Sequence, residues 1–207
     1  MTWLDLLGAL AMLGSVVAIL VMLAWLLGAA VLGRWARARR VAAALGTYVA
    51  GYAVVLGAVG VAMPRQVAAP GVRRCFDDWC VAALSAEIVS GAVQPCREEA
   101  GSRQWAVTLE VSSAARRVRQ RARDAAAKVE TGAGRRYGPC SGPIAGHALA
   151  DELGPGESFR VVEPFRLPAA AAPAGVVVHH GAFPGVIIIG DDQSLLHRPA
   201  LMEVAVP

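Results

Sequence analysis

The chain has 207 residues, 56% of them hydrophobic and only 17% charged, with a formal net charge of +4. That is too apolar for a purely soluble domain of this length. The first 64 residues set four arginines against Asp5, whereas the remainder sets fifteen arginines and Lys128 against fifteen acids, so the basicity marks topology and excludes a nucleic-acid partner.

Leu6 to Gly33 and Val41 to Pro64 contain no charged residue, runs of 28 and 24 residues. As helices they extend about 42 and 36 Å, and a hydrocarbon core about 30 Å thick needs about 20 residues. A cleaved signal peptide begins with a basic region and has a shorter apolar stretch. A core helix of a soluble protein shows polar residues on one face. Neither description fits, and residues 1–64 read as a transmembrane hairpin with helices at about 4–33 and 41–63. The loop 34–40 between them holds Arg34, Arg37, Arg39 and Arg40. Such an arginine-rich loop is expected in the cytoplasm, which puts everything after Pro64 outside the membrane. Trp3 and Trp35 suit the membrane interface, while Trp25 sits deeper, where a protein neighbour would cover it. Nineteen arginines to one lysine, with abundant Ala, Gly and Val, fit a GC-rich bacterial genome.

The spans contain no His or Lys and no acid after Asp5, which removes the usual groups of proton relays and haem ligation; no cofactor is expected. The second span is rich in small residues, namely Gly46, Ala50, Gly51, Ala53, Gly57 and Gly60, with Tyr48 and Tyr52 one turn apart. Small residues let helix backbones approach. Gly46, Gly51 and Gly57 are the expected contacts, within the hairpin or with the helices of a larger complex.

Residues 65–72 read as a linker, and 73–207 as an exterior all-β domain. Trp79–Leu84, Trp105–Val111, Ser158–Val162, Gly175–Gly181 and Val186–Gly190 have strand composition, and Ala125–Glu130 leads through a glycine-rich turn into Arg135–Tyr137 as a hairpin. Some seven short strands with regular turn signals indicate a β-sandwich. All four cysteines, Cys75, Cys80, Cys96 and Cys140, lie beyond the second span, as expected of an oxidising compartment. Their spacing lacks the paired knuckles of a zinc site. Four cysteines allow three pairings; Cys75–Cys80 with Cys96–Cys140 is expected, because the first pair closes a short local loop.

Cys75-Phe-Asp-Asp-Trp-Cys80, the Trp105 strand, the stretch Ser112–Arg123, the Arg135-Arg-Tyr137 hairpin exit, Pro155-Gly-Glu-Ser-Phe159, and Pro184-Gly185 ahead of Asp192–Pro199 follow one another in order. This string resembles a family of uncharacterised bacterial envelope proteins whose domain is similar to the immunoglobulin-like fold of the immunoprotective extracellular lipoproteins. The resemblance covers roughly the last two-thirds of the chain. It implies an immunoglobulin-like sandwich outside the membrane and no established activity; Cys96 and Cys140 stand outside the shared pattern.

Little here points to catalysis. Ser194 and His197 lie near Asp191 and Asp192, but no nucleophile elbow surrounds the serine. His179 and His180 are neighbours in a strand and point to opposite faces, so they do not chelate one ion. Asp77 and Asp78 suit a turn better than a cation site. The exposed arginines Arg116, Arg117, Arg119, Arg121 and Arg123 are expected to pair with Asp124, Glu130 and other acids, or to meet acidic headgroups or an acidic partner; without interleaved aromatics they do not suit single-stranded nucleic acid. The leading expectation is a non-catalytic accessory or scaffold subunit in the bacterial cytoplasmic membrane. Its partners are the lipid bilayer and other subunits of a larger complex, a respiratory or photosynthetic assembly being one candidate host. The alternative is a free-standing envelope binding or sensing protein, and an enzyme ranks third.

Overall fold

The computed structural model describes residues 3–76, 78–89, 96, 99–140, 142–181, 185–191 and 194–206, with the backbone alone for 3–6. The chain divides into two compact units. The first comprises Met1–Pro64 with Ala182–Arg198, and the second Arg65–Gly181 with Pro199–Pro207.

The first unit is built on two helices, α1 (Trp3–Val31) and α2 (Trp35–Ala62). Both are long and apolar enough to cross a membrane. Helix α1 ends where Gly33 takes a left-handed conformation (φ 66°). There Gly33 N–H donates to Ala30 O (3.0 Å) and Arg34 N–H to Ala29 O (2.8 Å), a Schellman ending that satisfies two orphan carbonyls. The connection is thus shorter than the expected loop 34–40. Arg37, Arg39 and Arg40 lie in the first two turns of α2. Ala, Arg and Leu are strong helix formers, and continuing the helix satisfies backbone groups that a loop would leave to solvent. Helix α2 ends before Pro64, with Met63 extended (ψ 132°), as the restriction on a pre-proline residue requires.

The second unit is a two-sheet β-sandwich of the immunoglobulin-like kind. Its described strands are β1 (Val67–Ala68), β2 (Arg74–Phe76), β3 (Trp79–Ile88), β4 (Ser102–Ser113), β5 (Ala126–Thr131), β6 (Arg136–Tyr137), β7 (Ala145–Gly146), β8 (Ser158–Pro168), β9 (Pro173–His179) and β10 (Leu201–Glu203). One sheet runs β1-β10-β9-β5-β6, the other β2-β3-β4-β8-β7. The pairing is antiparallel except between β1 and β10. Alternation sets the core: Trp105, Val107, Leu109 and Val111 of β4 and Val161, Phe165 and Leu167 of β8 face inward, with Val129, Val176 and Met202 opposite them on the other sheet. The β5–β6 hairpin pairs Val129 with Tyr137.

Three expected boundaries change. The linker 65–72 contains β1, which joins the sandwich because Val67 and Ala68 pair with Leu201 and Met202. The segment 182–198 leaves the sandwich and belongs to the helical unit. Within it Val186–Gly190 is not a strand: Gly185–Ile187 forms a 3-10 turn followed by a further turn. A β-branched apolar run has strand composition whether it pairs with a strand or packs on a helix, so periodicity alone does not separate the two.

Candidate functional site

In the helical unit, the Tyr48 hydroxyl of α2 donates to Ser15 Oγ of α1 (2.8 Å), and Ser15 in turn donates to Ala11 O one turn back (2.7 Å). Beside this pair lies a cleft of about 510 Å3, lined among others by Gly14, Ser15, Thr47, Tyr48, Gly51 and Ile189. Tyr52, one turn along, donates to Ile187 O (2.7 Å).

The segment after β9 meets the helices at glycines. A Cβ on Gly8 would collide with Ile189 O, and one on Gly60 with Leu195 O. At Gly57 a Cβ would lie 3.4 Å from the Leu196 side chain, whereas at Gly46 and Gly51 it would meet nothing. Gly46 and Gly51 therefore make no close approach in the described structure, and the tight positions are Gly8 and Gly60. Composition points to a small-residue helix; only the position of the returning segment selects which glycines are used.

Ser194 and His197 are both buried here, but they do not form a nucleophile and base. Ser194 Oγ has no hydrogen-bond partner among the described residues. His197 turns Nδ1 to Gly60 O at 3.3 Å. Successive turns link the backbone, with Ser194 N–H donating to Asp191 O and His197 N–H to Ser194 O, each at 3.0 Å. Asp192, Gln193, Pro184 and Asp77 lie outside the described residues, as do the side chains of Trp3 and Asp5. Among the described residues no cluster of three or more His, Cys, Asp and Glu could hold a metal ion.

The sandwich contains a charged network that no local sequence signal reveals. Arg65 grips Glu130 through both terminal guanidinium nitrogens, Nη2 donating to Oε2 at 2.8 Å, and Arg136 Nε donates to the same Oε2 at 2.8 Å. Arg65 Nε donates to Pro199 O (2.9 Å). One side chain thus ties together the residue that opens the sandwich after Pro64 and the residue that reopens it after Arg198. The Arg65 hydrogen bond chiefly holds the Glu130 carboxyl below its ordinary range, with Arg136 adding to it against the opposing effect of burial. Glu163 is the contrary case. It sits in phase with Val161, Phe165 and Leu167 on the inward side of β8, its Oε2 has no partner among the described residues, and desolvation pushes its pKa up. A charged residue in an inward register was the available signal.

The arginine stretch crosses between β4 and β5. Ala115 and Ala122 are buried, and Gln120 and Leu153 exchange backbone hydrogen bonds at 2.8 Å, which turns the guanidiniums outward. Arg119 pairs with Glu152, and Arg121 Nε donates to Ala150 O (3.1 Å). The expected pairing with Glu130 does not occur, because Arg65 and Arg136 occupy that carboxylate. Arg116, Arg117 and Arg123 are exposed and have no ion-pair partner among the described residues.

Disulfides join Cys75 to Cys80, directly opposite each other on β2 and β3, and Cys96 to Cys140. Next to the first, His180 packs on Trp79 and Phe76, with ring centroids 5.2 and 6.0 Å away. His179 is half-buried, and desolvation, with Lys128 and Arg136 nearby, lowers its pKa.

No family model matches the chain, and no curated protein matches it. Two solved structures share the sandwich. The secreted protein MPT63 of Mycobacterium tuberculosis is 14% identical with a TM-score of 0.46, over 58% of this chain and 93% of that one. An uncharacterised β-sandwich protein from Clostridium difficile is 8% identical with a TM-score of 0.34, over 57% and 88%. The relationship is a distant one of β-sandwich architecture. The expectation of an accessory subunit in a larger membrane complex is set aside: the two neighbours are a secreted protein and an uncharacterised β-sandwich protein. Among the described residues, the closest contacts of the helices' glycines, at Gly8 and Gly60, are made by the chain's own Ile189 and Leu195.

Proposed function

We propose that the chain is a free-standing, membrane-anchored envelope protein that displays a β-sandwich for binding on the outer side of the bacterial cytoplasmic membrane. The observation that carries this reading is the exposure of the helices' apolar side chains: Leu20 is 60%, Trp25 68% and Val54 70% exposed. A soluble core helix would have these covered, and at about 25 cal/mol per Å2 so much bare apolar surface is untenable in water; a bilayer supplies the missing apolar surroundings. A signal peptide fits poorly, because α1 has 29 residues against an apolar region of about 7–15, and a second apolar helix follows it.

In this reading Arg34, Arg37, Arg39 and Arg40 face the cytoplasm. Three of them sit at the N-terminal end of α2, where the helix dipole disfavours positive charge, so their placement serves orientation rather than helix stability. The surface offered to a partner is the arginine face 116–123, which suits an acidic envelope polymer or acidic headgroups.

Two measurements test this. All four native cysteines are in disulfides, so Ala36→Cys introduces a lone thiol, which should resist a membrane-impermeant reagent in intact cells. Ready labelling overturns the orientation. Purification in mild detergent should yield the chain without a stoichiometric partner; a co-purifying partner subunit in fixed ratio overturns the free-standing reading.

A further inference from the structure

Between β9 and β10 the chain runs through residues 182–198 as part of the helical unit. We propose that the described residues of this segment, 185–191 and 194–198, form a third membrane-inserted element, reaching from the headgroup boundary into the acyl region of the outer leaflet beside the hairpin, with lipid as its partner. The inference rests on the hairpin crossing the bilayer, as proposed above.

The levels along α2 support it. A Cβ on Gly190 would lie 3.8 Å from Met63 Sδ, at the end of the helix. Leu195 and His197 meet Gly60, and Leu196 meets Gly57, which is about 8 Å below the end of the helix at about 1.5 Å per residue. Ile187 takes the hydrogen bond of Tyr52, further down, and Ile189 lines the cleft beside Ser15 and Tyr48. The chain therefore dips at Val186–Ile189, returns to the helix end at Gly190, and dips again at Leu195–Leu196. The residues at the dips are apolar, and Asp191 lies next to the return. On the same count Tyr52 lies about 15 Å below the end of the helix, so Val186–Ile189 reaches deeper than the about 5–10 Å of an interfacial element, whereas Leu195–Leu196 lies within that range.

Irregular backbone is tolerated at such depth only if its polar groups are satisfied within the protein. Here Ile188 N–H donates to Gly185 O (3.1 Å), Leu195 N–H to Val186 O (3.0 Å) and Asp191 N–H to Ile188 O (3.3 Å). Tyr52 caps Ile187 O. Meanwhile Leu195 and Leu196 turn outward, 47% and 63% exposed, continuing the uncovered apolar surface of the helices. Leu196 keeps this orientation at a positive φ of 66°, which a leucine rarely adopts.

Nitroxide labels at Leu195→Cys and, separately, Leu196→Cys in the full chain test this in vesicles of phosphatidylcholine and phosphatidylglycerol. Labels at Leu13→Cys, 58% exposed on α1, and Val118→Cys, 65% exposed on the sandwich, serve as references. Collision with oxygen should exceed collision with a water-soluble nickel chelate at both leucine sites, as at Leu13, and the order should reverse at Val118. If Leu13 is lipid-facing while both leucine sites behave like Val118, or collide with neither reagent, the inserted segment is refuted and the hairpin reading stands. If Leu13 itself collides with the chelate as Val118 does, both fail.

Discussion

In the sandwich, Val107, Leu109, Val161 and Leu167 are completely buried, whereas on the helices Leu20, Trp25 and Val54 are more than half bare. The same class of residue is hidden in one region and displayed in the other. The sandwich supplies its own apolar environment, and in the proposed reading the helical unit takes one from the bilayer. Substitutions should therefore act on the sandwich as on any soluble domain, and on the helices only where the chain touches itself.

The sharpest test on the sandwich side is loss of the Cys96–Cys140 disulfide. Its partners are 44 residues apart, against 5 for Cys75–Cys80. Loop-closure entropy then predicts losses of about 4 and about 2 kcal/mol for the paired serine variants, read by thermal unfolding in detergent. Equal losses would mean that the long loop is already constrained in the unfolded chain. Next comes Glu130→Ala, which leaves Arg65 and Arg136 without their shared carboxylate and should cost about 3 kcal/mol, because Glu130 is buried while both arginines keep some access to solvent.

On the helical side, Gly60→Leu should cost about 1–3 kcal/mol by overpacking and release segment 182–198 to protease. Gly46→Leu, at a position facing open space, should change stability by less than about 0.5 kcal/mol. If both substitutions were silent, the contact between the segment and α2 would be refuted.

The smallest effects concern pH, and two glutamates of one sandwich should oppose each other. The folded pKa of Glu130 is depressed, so its contribution is present above the unfolded value of about 4.3 and is lost as pH falls through the folded value. The folded pKa of Glu163 is raised, so its contribution is complete below the unfolded value and is lost as pH rises through the folded one. Glu163→Gln should thus stabilise the domain at neutral pH and leave it nearly unchanged in acid. A uniform shift at all pH values would show that the carboxyl does not titrate between these limits.

Much of the sandwich was legible because alternation at Trp105, Val107, Leu109 and Val111 carries its own direction. Strand β1 was not, since Val67–Ala68 is two residues long and acquires meaning only from Leu201 and Met202. Val186–Ile189 does not form the expected strand, because three isoleucines and a valine suit a strand and a helix-packed segment equally. The Arg65–Glu130 pair spans 65 residues, and nothing local to either residue announces the other. Glu163 could have been singled out as a charge in register with Val161, Phe165 and Leu167.

The pairing of β1 with β10 has a bearing on how the protein is made. The first strand of the sandwich has its ladder partner in the last, so a chain delivered N-terminus first holds Val67 and Ala68 idle until Leu201 and Met202 have emerged. Until then β9 also lacks its neighbour on that side, and a bare strand edge invites pairing with other chains. Contacts so distant in sequence form slowly. A nascent chain halted before residue 201 would thus be an open-edged intermediate, a substrate for proteases and chaperones rather than a shorter working protein.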